Sequence, residues 1–437
     1  MTRTGAANGS ARRDGVRLAG ALLLLAALAE FGLSSLTLTA LGIKYDGPGG
    51  NFFHKLHPAT WLAALALVAH LAGQPRPLAY LRAAAGRFPG AVYFAAMWAL
   101  IVVWAVLAQK LPMTPLIDTF FCAFVFLLVY TDSDEPTRRA IRIALHAFMF
   151  VNACIGVVEF ATHTRLTPLV IAGKPILHET RSTALMGHPL VNAGAGAAYA
   201  LMLSLGADRA VGPALRLILI GAQAVALVCF GGRTAIVLFV LLGLVGQMRN
   251  LAGLLLGRRF DARYAVLAAL GSPLLLGAAV LALQSGALDR FIERFVDDKG
   301  SAQARVVMFR LFDYFSWEDL LLGPDQERLL WAQRLLGIEY GIENSWLGFL
   351  FQYGAVVSVL FLLGFAALLW EFWRRAQPGA ALAILYLLVQ LSAAAALSVK
   401  STMFNQFAIL LLTIFGAGPP RRAASARPRG DLAGERP

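Results

Sequence analysis

Apolar runs parted by short polar breaks set the rhythm of this chain. They fall at 18–41, 59–73, 89–109, 115–131, 140–161, 187–206, 214–230, 234–247, 262–283, 346–370, 379–397 and 403–417. Most approach the roughly 20 residues that a helix needs to cross the hydrocarbon layer. The runs at 59–73 and 234–247 are short enough to be tilted or partly re-entrant. The first run has the length of an uncleaved anchor, with Glu30 as an unusual acid inside it. One long stretch departs from the pattern: residues 284–344, a polar segment of 61 residues that has enough polar backbone to fold outside lipid. The pattern predicts an all-α, polytopic transmembrane helical bundle of about twelve helices with one large loop containing short helices. Its divisions are a basic tail at 1–17, helices one to nine over 18–283, the loop at 284–344, helices ten to twelve over 345–417, and a disordered tail at 418–437.

Composition agrees with the pattern. Hydrophobic residues make up 58% of the 437 and charged ones 14%, and the mean hydropathy is +0.67, values outside the range of soluble domains. A net charge of +13 raises the question of nucleic acid, but the cations sit in short clusters between apolar runs. Such clusters encode topology rather than grip a duplex. With the N-terminus placed in the cytoplasm, 23 of the 38 Lys and Arg fall on inner segments, 8 on short outer segments and 7 within 284–344. Both termini are therefore expected inside and the long loop outside. Cys122, Cys154 and Cys229 lie in apolar runs without metal-ligand spacing.

The outward-facing polar residues are the candidates for chemistry. Arg233 follows Gly231-Gly232 where one helix ends and the next begins. A guanidinium at a helix start joins a bidentate fork to free backbone N–H groups, an arrangement suited to phosphate, and the glycines would let a ligand approach. Snorkelling to the interface is the plainer alternative. Residues 302–316 predict an amphipathic helix with Val306, Phe309, Leu311 and Phe312 for burial. Arg305 and Arg310 on it either reach over a site or are solvated or paired with Asp313 or Asp298. Glu343 and Asn344 precede the helix that starts near Trp346, where Asn344 or Ser345 caps it and Glu343 is either a solvated acid or a base that deprotonates a sugar hydroxyl. Gly187-His188-Pro189 opens another helix from the outer side, leaving His188 as an acid or base, or as an interfacial histidine without chemistry. The small residues Ala193–Ala198 are a packing signal.

The order of these motifs, GHP, then GGRTA, then a loop with Arg305 and Arg310, then ENSWLGFLFQYG, resembles the O-antigen ligase and Wzy-type polysaccharide polymerase superfamily over roughly 180–375. The resemblance implies a metal-independent, cofactor-free membrane glycosyltransferase of GT-C type, acting at the periplasmic face of the bacterial inner membrane on glycans carried by undecaprenyl diphosphate. It implies that Arg233 and Arg305, with Arg310 as a substitute for the latter, contact the lipid diphosphate. Around them, Arg181, His188 and Asn344 are the further candidates for holding substrate. The family's ligases commonly carry a histidine where this chain has Glu343, and 284–344 contains no histidine. That departure points to a polymerase of exopolysaccharide or O-antigen repeat units, with Glu343 as base, over a ligase that transfers glycan to lipid A core.

Expected partners are the lipid-linked oligosaccharide and the bilayer, with chain-length regulator and export proteins as further candidates. A transporter or flippase of lipid-linked sugars is the competing class. It calls for deep polar groups, and these are sparse: Glu30 is mid-helix, while Asp118 and Glu159 lie nearer the outer ends of their runs.

Overall fold

The computed structural model describes residues 3–46, 49–168, 170–171, 174–175, 181–257, 303, 306–338 and 341–416. The run expected at 262–283, most of 284–305 including Arg305, and the tail at 418–437 lie outside the described residues.

Helices dominate. In chain order they are α1 (Arg3–Gly32), α2 (Ser35–Ala40), α3 (Pro58–Ala72), α4 (Pro77–Arg87), α5 (Pro89–Leu107), α6 (Thr114–Asp132), α7 (Glu135–Thr162), α8 (Pro189–Ser204), α9 (Pro213–Phe230) and α10 (Arg233–Leu255). After the undescribed stretch come α11 (Trp317–Leu322), α12 (Gln326–Leu335), α13 (Ser345–Tyr353), α14 (Ala355–Arg375), α15 (Ala380–Ser392) and α16 (Met403–Ile414). A two-residue antiparallel ladder pairs Val170–Ile171 with Lys174–Pro175. Among the described residues, α1 (over Gly15–Gly32), α5, α6, α7, α9 and α14 are the six helices long and apolar enough to cross a membrane. The shorter apolar helices are α3, α15, α16 and, over Arg233–Met248, α10.

The sequence writes many of these boundaries directly. Proline stands in the first turn of every helix from α3 to α9, where its missing N–H costs nothing and its fixed φ favours helix entry. Helix α4 was not expected: the Arg76–Arg87 stretch reads as a loop but coils behind Pro77.

Helices α8 and α16 form the centre. Every residue of α16 is buried, as are Pro189 and all of Asn192–Leu203 in α8, so neither needs a polar face. Small residues bring the neighbours close: Gly196 faces Gln223 of α9, and Gly194 faces Met403 of α16. On the other side, Phe94, Phe120, Phe361, Phe365 and Phe404 interlock α5, α6, α14 and α16 through edge-on and stacked ring contacts.

Three expectations are corrected. The run at 18–41 is two helices, because Ser34 leaves helical geometry and its Oγ accepts the Thr37 N–H to cap α2. The run at 346–370 breaks at Gly354, whose φ of +81° is left-handed. A side chain at Gly354 would overlap backbone atoms of Leu321–Gly323, which lies against it. Thus α13 is a crossbar: Asn344 before it donates to the Ser392 carbonyl at the end of α15, and the Tyr353 carbonyl accepts from Trp104 near the end of α5. Finally, the amphipathic helix expected at 302–316 is largely a 3₁₀ turn over Met308–Tyr314. Its three-residue period places Met308 and Leu311 inward together, while Val306, Phe309 and Phe312 are exposed.

The segment 306–342 therefore has its own small core, in which Met308, Leu311, Phe315, Leu320, Leu329 and Ala332 meet Phe351 of α13. A capping box between Ser316 and Asp319 starts α11, and Asp325 caps α12.

The break at Gly354 can be tested against a glycine with no such constraint. Gly354→Ala should cost about 1–3 kcal/mol through backbone strain and overlap. Gly243→Ala, on open helix surface within α10, should be neutral or stabilising by about 0.5–1 kcal/mol. Thermal unfolding of the detergent-solubilised protein separates the two outcomes.

Candidate functional site

One end of the bundle gathers most of the candidate residues. It is the end where α1 finishes and α3, α6, α8, α10 and α16 begin, called here the distal end. Helix α15 runs toward it and is flanked by α8, α10, α13 and α14. The Tyr386 hydroxyl donates to the Gly194 carbonyl of α8, and Gly246 of α10 sits by Leu382. From that contact α10 rises 13 residues to Arg233 and α15 rises 10 to Ser392, about 20 Å and 15 Å. Arg233 thus stands near the level of Ser392, to which Asn344 is bonded.

Each candidate residue can now be placed. Arg233 is half-buried at the first position of α10. The two glycines before it have structural reasons: Gly231 ends α9 with a φ of +65°, and a side chain at Gly232 would strike Ala193 of α8. His188 is the cap of α8, its Nδ1 accepting the Leu190 N–H at 3.2 Å. Asn344 caps α13 through Oδ1, which accepts from Trp346 and Leu347 at 3.0 and 3.1 Å. Both caps are helix-building roles. Glu343 is exposed beside Asn344. Arg310 is exposed on the 3₁₀ turn, and Arg305 lies outside the described residues.

Arg181 is drawn to the same end by a polar knot under it. Ser182 donates through its N–H to the Cys229 carbonyl and through its hydroxyl to the Gly156 carbonyl. The Glu159 carboxylate, 6% exposed, accepts backbone N–H groups from Leu166, Thr183 and Ala184 at 2.8–2.9 Å. Asn152 accepts from Leu185 and donates to Asn192, which donates in turn to the Thr183 and His188 carbonyls. These groups anchor residues 181–188 to α7 and α8, with Gly187 pressed on Ser34. Glu159, near the outer end of its run in the sequence, is a ligand for backbone.

A second distal cluster escaped the sequence reading. The Asp118 carboxylate of α6 accepts the His57 N–H, the Thr60 hydroxyl at 2.7 Å and the Tyr45 hydroxyl at 3.0 Å. Lys400 Nζ lies 3.7 Å from it and over the Tyr45 ring. Glu30 of α1 accepts from Asn405 at 3.0 Å, while its other oxygen lies 3.9 Å from His57 Nδ1. The His57 ring donates from Nε2 to the Leu33 carbonyl at 2.6 Å and accepts the Ala59 N–H on Nδ1. That pair of bonds fixes the neutral tautomer. Burial lowers the His57 pKa to about 4, against the raising effect of the Leu33 carbonyl. Burial likewise lowers Lys400 and raises Asp46 beside it. These residues are scattered over 30, 45, 57, 118, 400 and 405, so no local spacing announces them. The available signal was a histidine directly before a helix-opening proline.

Among the described residues, no group of three or more His, Cys, Asp or Glu is placed to hold a metal ion. No protein-family model matches this sequence, and no curated protein does.

The state of His57 carries a pH signature. Its folded pKa is about 4, against about 6.5 in the unfolded chain, so between these values the unfolded chain binds the extra proton. Stability is full above about pH 6.5 and declines as pH falls toward about 4, by on the order of 3 kcal/mol. His57→Asn, which keeps a capping oxygen, should flatten that decline in thermal unfolding measured across this window.

Proposed function

We propose that this chain is a membrane glycosyltransferase that polymerises undecaprenyl-diphosphate-linked repeat units. In this reading the bundle spans the bacterial inner membrane about twelve times with both termini in the cytoplasm, and the distal end is the periplasmic face. The arrangement that supports the proposal is that Arg233, at the start of α10, and the Glu343–Ser345 turn, bonded to the end of α15, belong to the same end of the bundle.

A half-buried guanidinium at the start of α10 stands beside the N–H groups of the helix's first turn, which point out of the helix end. Together they offer a diphosphate a bidentate partner and the positive end of a helix dipole. As the anomeric bond breaks, charge builds on the leaving diphosphate, and Arg233 stabilises it in surroundings poor in water. Glu343, exposed to the aqueous side, takes the proton of the acceptor hydroxyl. Direct displacement then inverts the anomeric centre. Arg181 and Arg310 supply further positive charge around the glycan carrier. Arg305 takes the loop-arginine role that the family resemblance assigns. His188 and Asn344 shape the site by capping α8 and α13 rather than by touching the reacting atoms.

A transporter of the same lipid-linked sugars is favoured by a different observation, the buried ionisable cluster of Glu30, His57, Asp118 and Lys400. Ionisable groups at membrane depth commonly mark transport paths. The layer of residues 306–342 beside Glu343 supports the enzymatic reading over this one, because a folded layer next to polar groups serves chemistry at a surface.

The deciding experiment incubates the purified protein in nanodiscs with its host's undecaprenyl-diphosphate repeat units and resolves the products on a gel. A ladder of lengthened lipid-linked glycans is expected from the wild type. Arg233→Ala and Arg233→Lys should each reduce it by roughly 10²-fold or more, since lysine lacks the planar fork. Glu343→Gln should do likewise. A full ladder from Arg233→Lys would overturn the bidentate role, and no ladder from folded wild-type protein, with lipid A core as acceptor also inert, would leave the transporter reading in its place.

A further inference from the structure

The Glu30–His57 contact has no part in the glycosyl transfer proposed above, and its chemistry is unusual for a place so well sealed. The Glu30 and His57 side chains are 1% and 2% exposed. Glu30 Oε1 accepts from Asn405, but Oε2 has no hydrogen-bond partner among the described residues. Gln406 donates its amide to the Glu30 backbone carbonyl, and its own Oε1 is likewise without a donor. A buried carboxylate oxygen with no donor, 3.9 Å from an imidazole nitrogen that is itself an acceptor, describes a site short of one hydrogen. An ionised carboxylate in such a place costs several kcal/mol unless a positive charge meets it.

The surroundings supply no such charge directly. From α6 come a second acid, Asp118, and the buried Cys122 thiol. From α16 come only the amides of Asn405 and Gln406. Helix α7 presents Phe148 against Gly32. On the loops, Lys400 is already committed to Asp118, to Asp46 and to the Tyr45 ring and carbonyl. His57 is neutral, because Nε2–H is given to Leu33 and the Nδ1 lone pair to Ala59.

We propose that Glu30 and His57 form a buried proton-binding site at the distal end of the bundle, with the proton resting on Glu30 Oε2 and leaving by way of His57 Nδ1. The step conserves its proton: the Oε2–H bond breaks, an Nδ1–H bond forms, and a carboxylate and an imidazolium result. Closing the present 3.9 Å gap requires Nδ1 to release the Ala59 N–H, so exchange uncaps α3. The imidazolium then returns the proton to water at the distal surface, where Asp46 and Lys400 mark the solvent edge. Occupancy of the site and the seating of α3 against α1 are thereby linked.

Infrared spectroscopy of the purified protein tests this without any substrate. The wild type at neutral pH should show the carbonyl band of a protonated carboxylic acid that is absent from Glu30→Gln and present, at a shifted frequency, in Glu30→Asp. In deuterated buffer the band should move as the acid exchanges. His57→Asn, which keeps the cap on α3, should retain the band but slow that movement by roughly 10²-fold. Absence of the band from the wild type, or its persistence in Glu30→Gln, overturns the site. If Glu30→Gln does not fold, a wild type whose band is unmoved by Glu30→Asp overturns it equally. Exchange in His57→Asn as fast as in the wild type removes His57 from the route.

Discussion

Where lipid offers no hydrogen bonds, a buried carboxylate must be answered by donors from the protein itself, and this bundle is tied together at such points. Glu159 gathers three backbone N–H groups from the stretch between α7 and α8. Asp118 holds the loop before α3 through the His57 N–H, the Thr60 hydroxyl and the Tyr45 hydroxyl. At the opposite end Glu371 of α14 accepts the Gly90 N–H of α5 and pairs with Arg375. Glu159 folds the following stretch back on its own helix, while Asp118 and Glu371 join segments far apart in the chain. Apolar packing in lipid is nearly indifferent to which helices meet, whereas a carboxylate with specific donors is not.

This constraint explains which parts of the architecture were legible. Helix starts were written in local chemistry, because proline and a capping side chain act within one turn; Pro189 behind His188 and Ser345 behind Asn344 begin helices where the sequence placed them. The break at Gly354 was not legible, since it depends on a distant neighbour, the backbone of Leu321–Gly323; the break at Ser34 rests on a local cap set inside an otherwise unbroken apolar run. The inward face of Met308–Tyr314 was misassigned for a related reason. Its sequence fits a 3.6-residue period as readily as the 3.0-residue period it adopts.

The candidate site was legible in part. The residue types at the distal end, Arg233 and Glu343 above all, were found by sidedness and by position at helix starts. What sequence could not separate was the chemical role of a polar residue from its role as a cap, and geometry assigns His188 and Asn344 to capping. The glycines before Arg233 are likewise explained by chain reversal and by Ala193. The ionisable cluster around Asp118 was invisible for the opposite reason: its members are single polar letters, some within apolar runs and others in the breaks between them, far apart, and only folding makes them neighbours.

The crossbar α13 bears on how far apart two helices stand at the distal end. Its nine residues span about 13 Å, with one end bonded to α15 and the other to α5. The separation of those two helices at this end is therefore tied to the length of one short helix, held at each end by a side-chain hydrogen bond. Substitutions on α5 or α15 leave that length as it is, whereas insertion or deletion of a helical turn in 345–353 changes it.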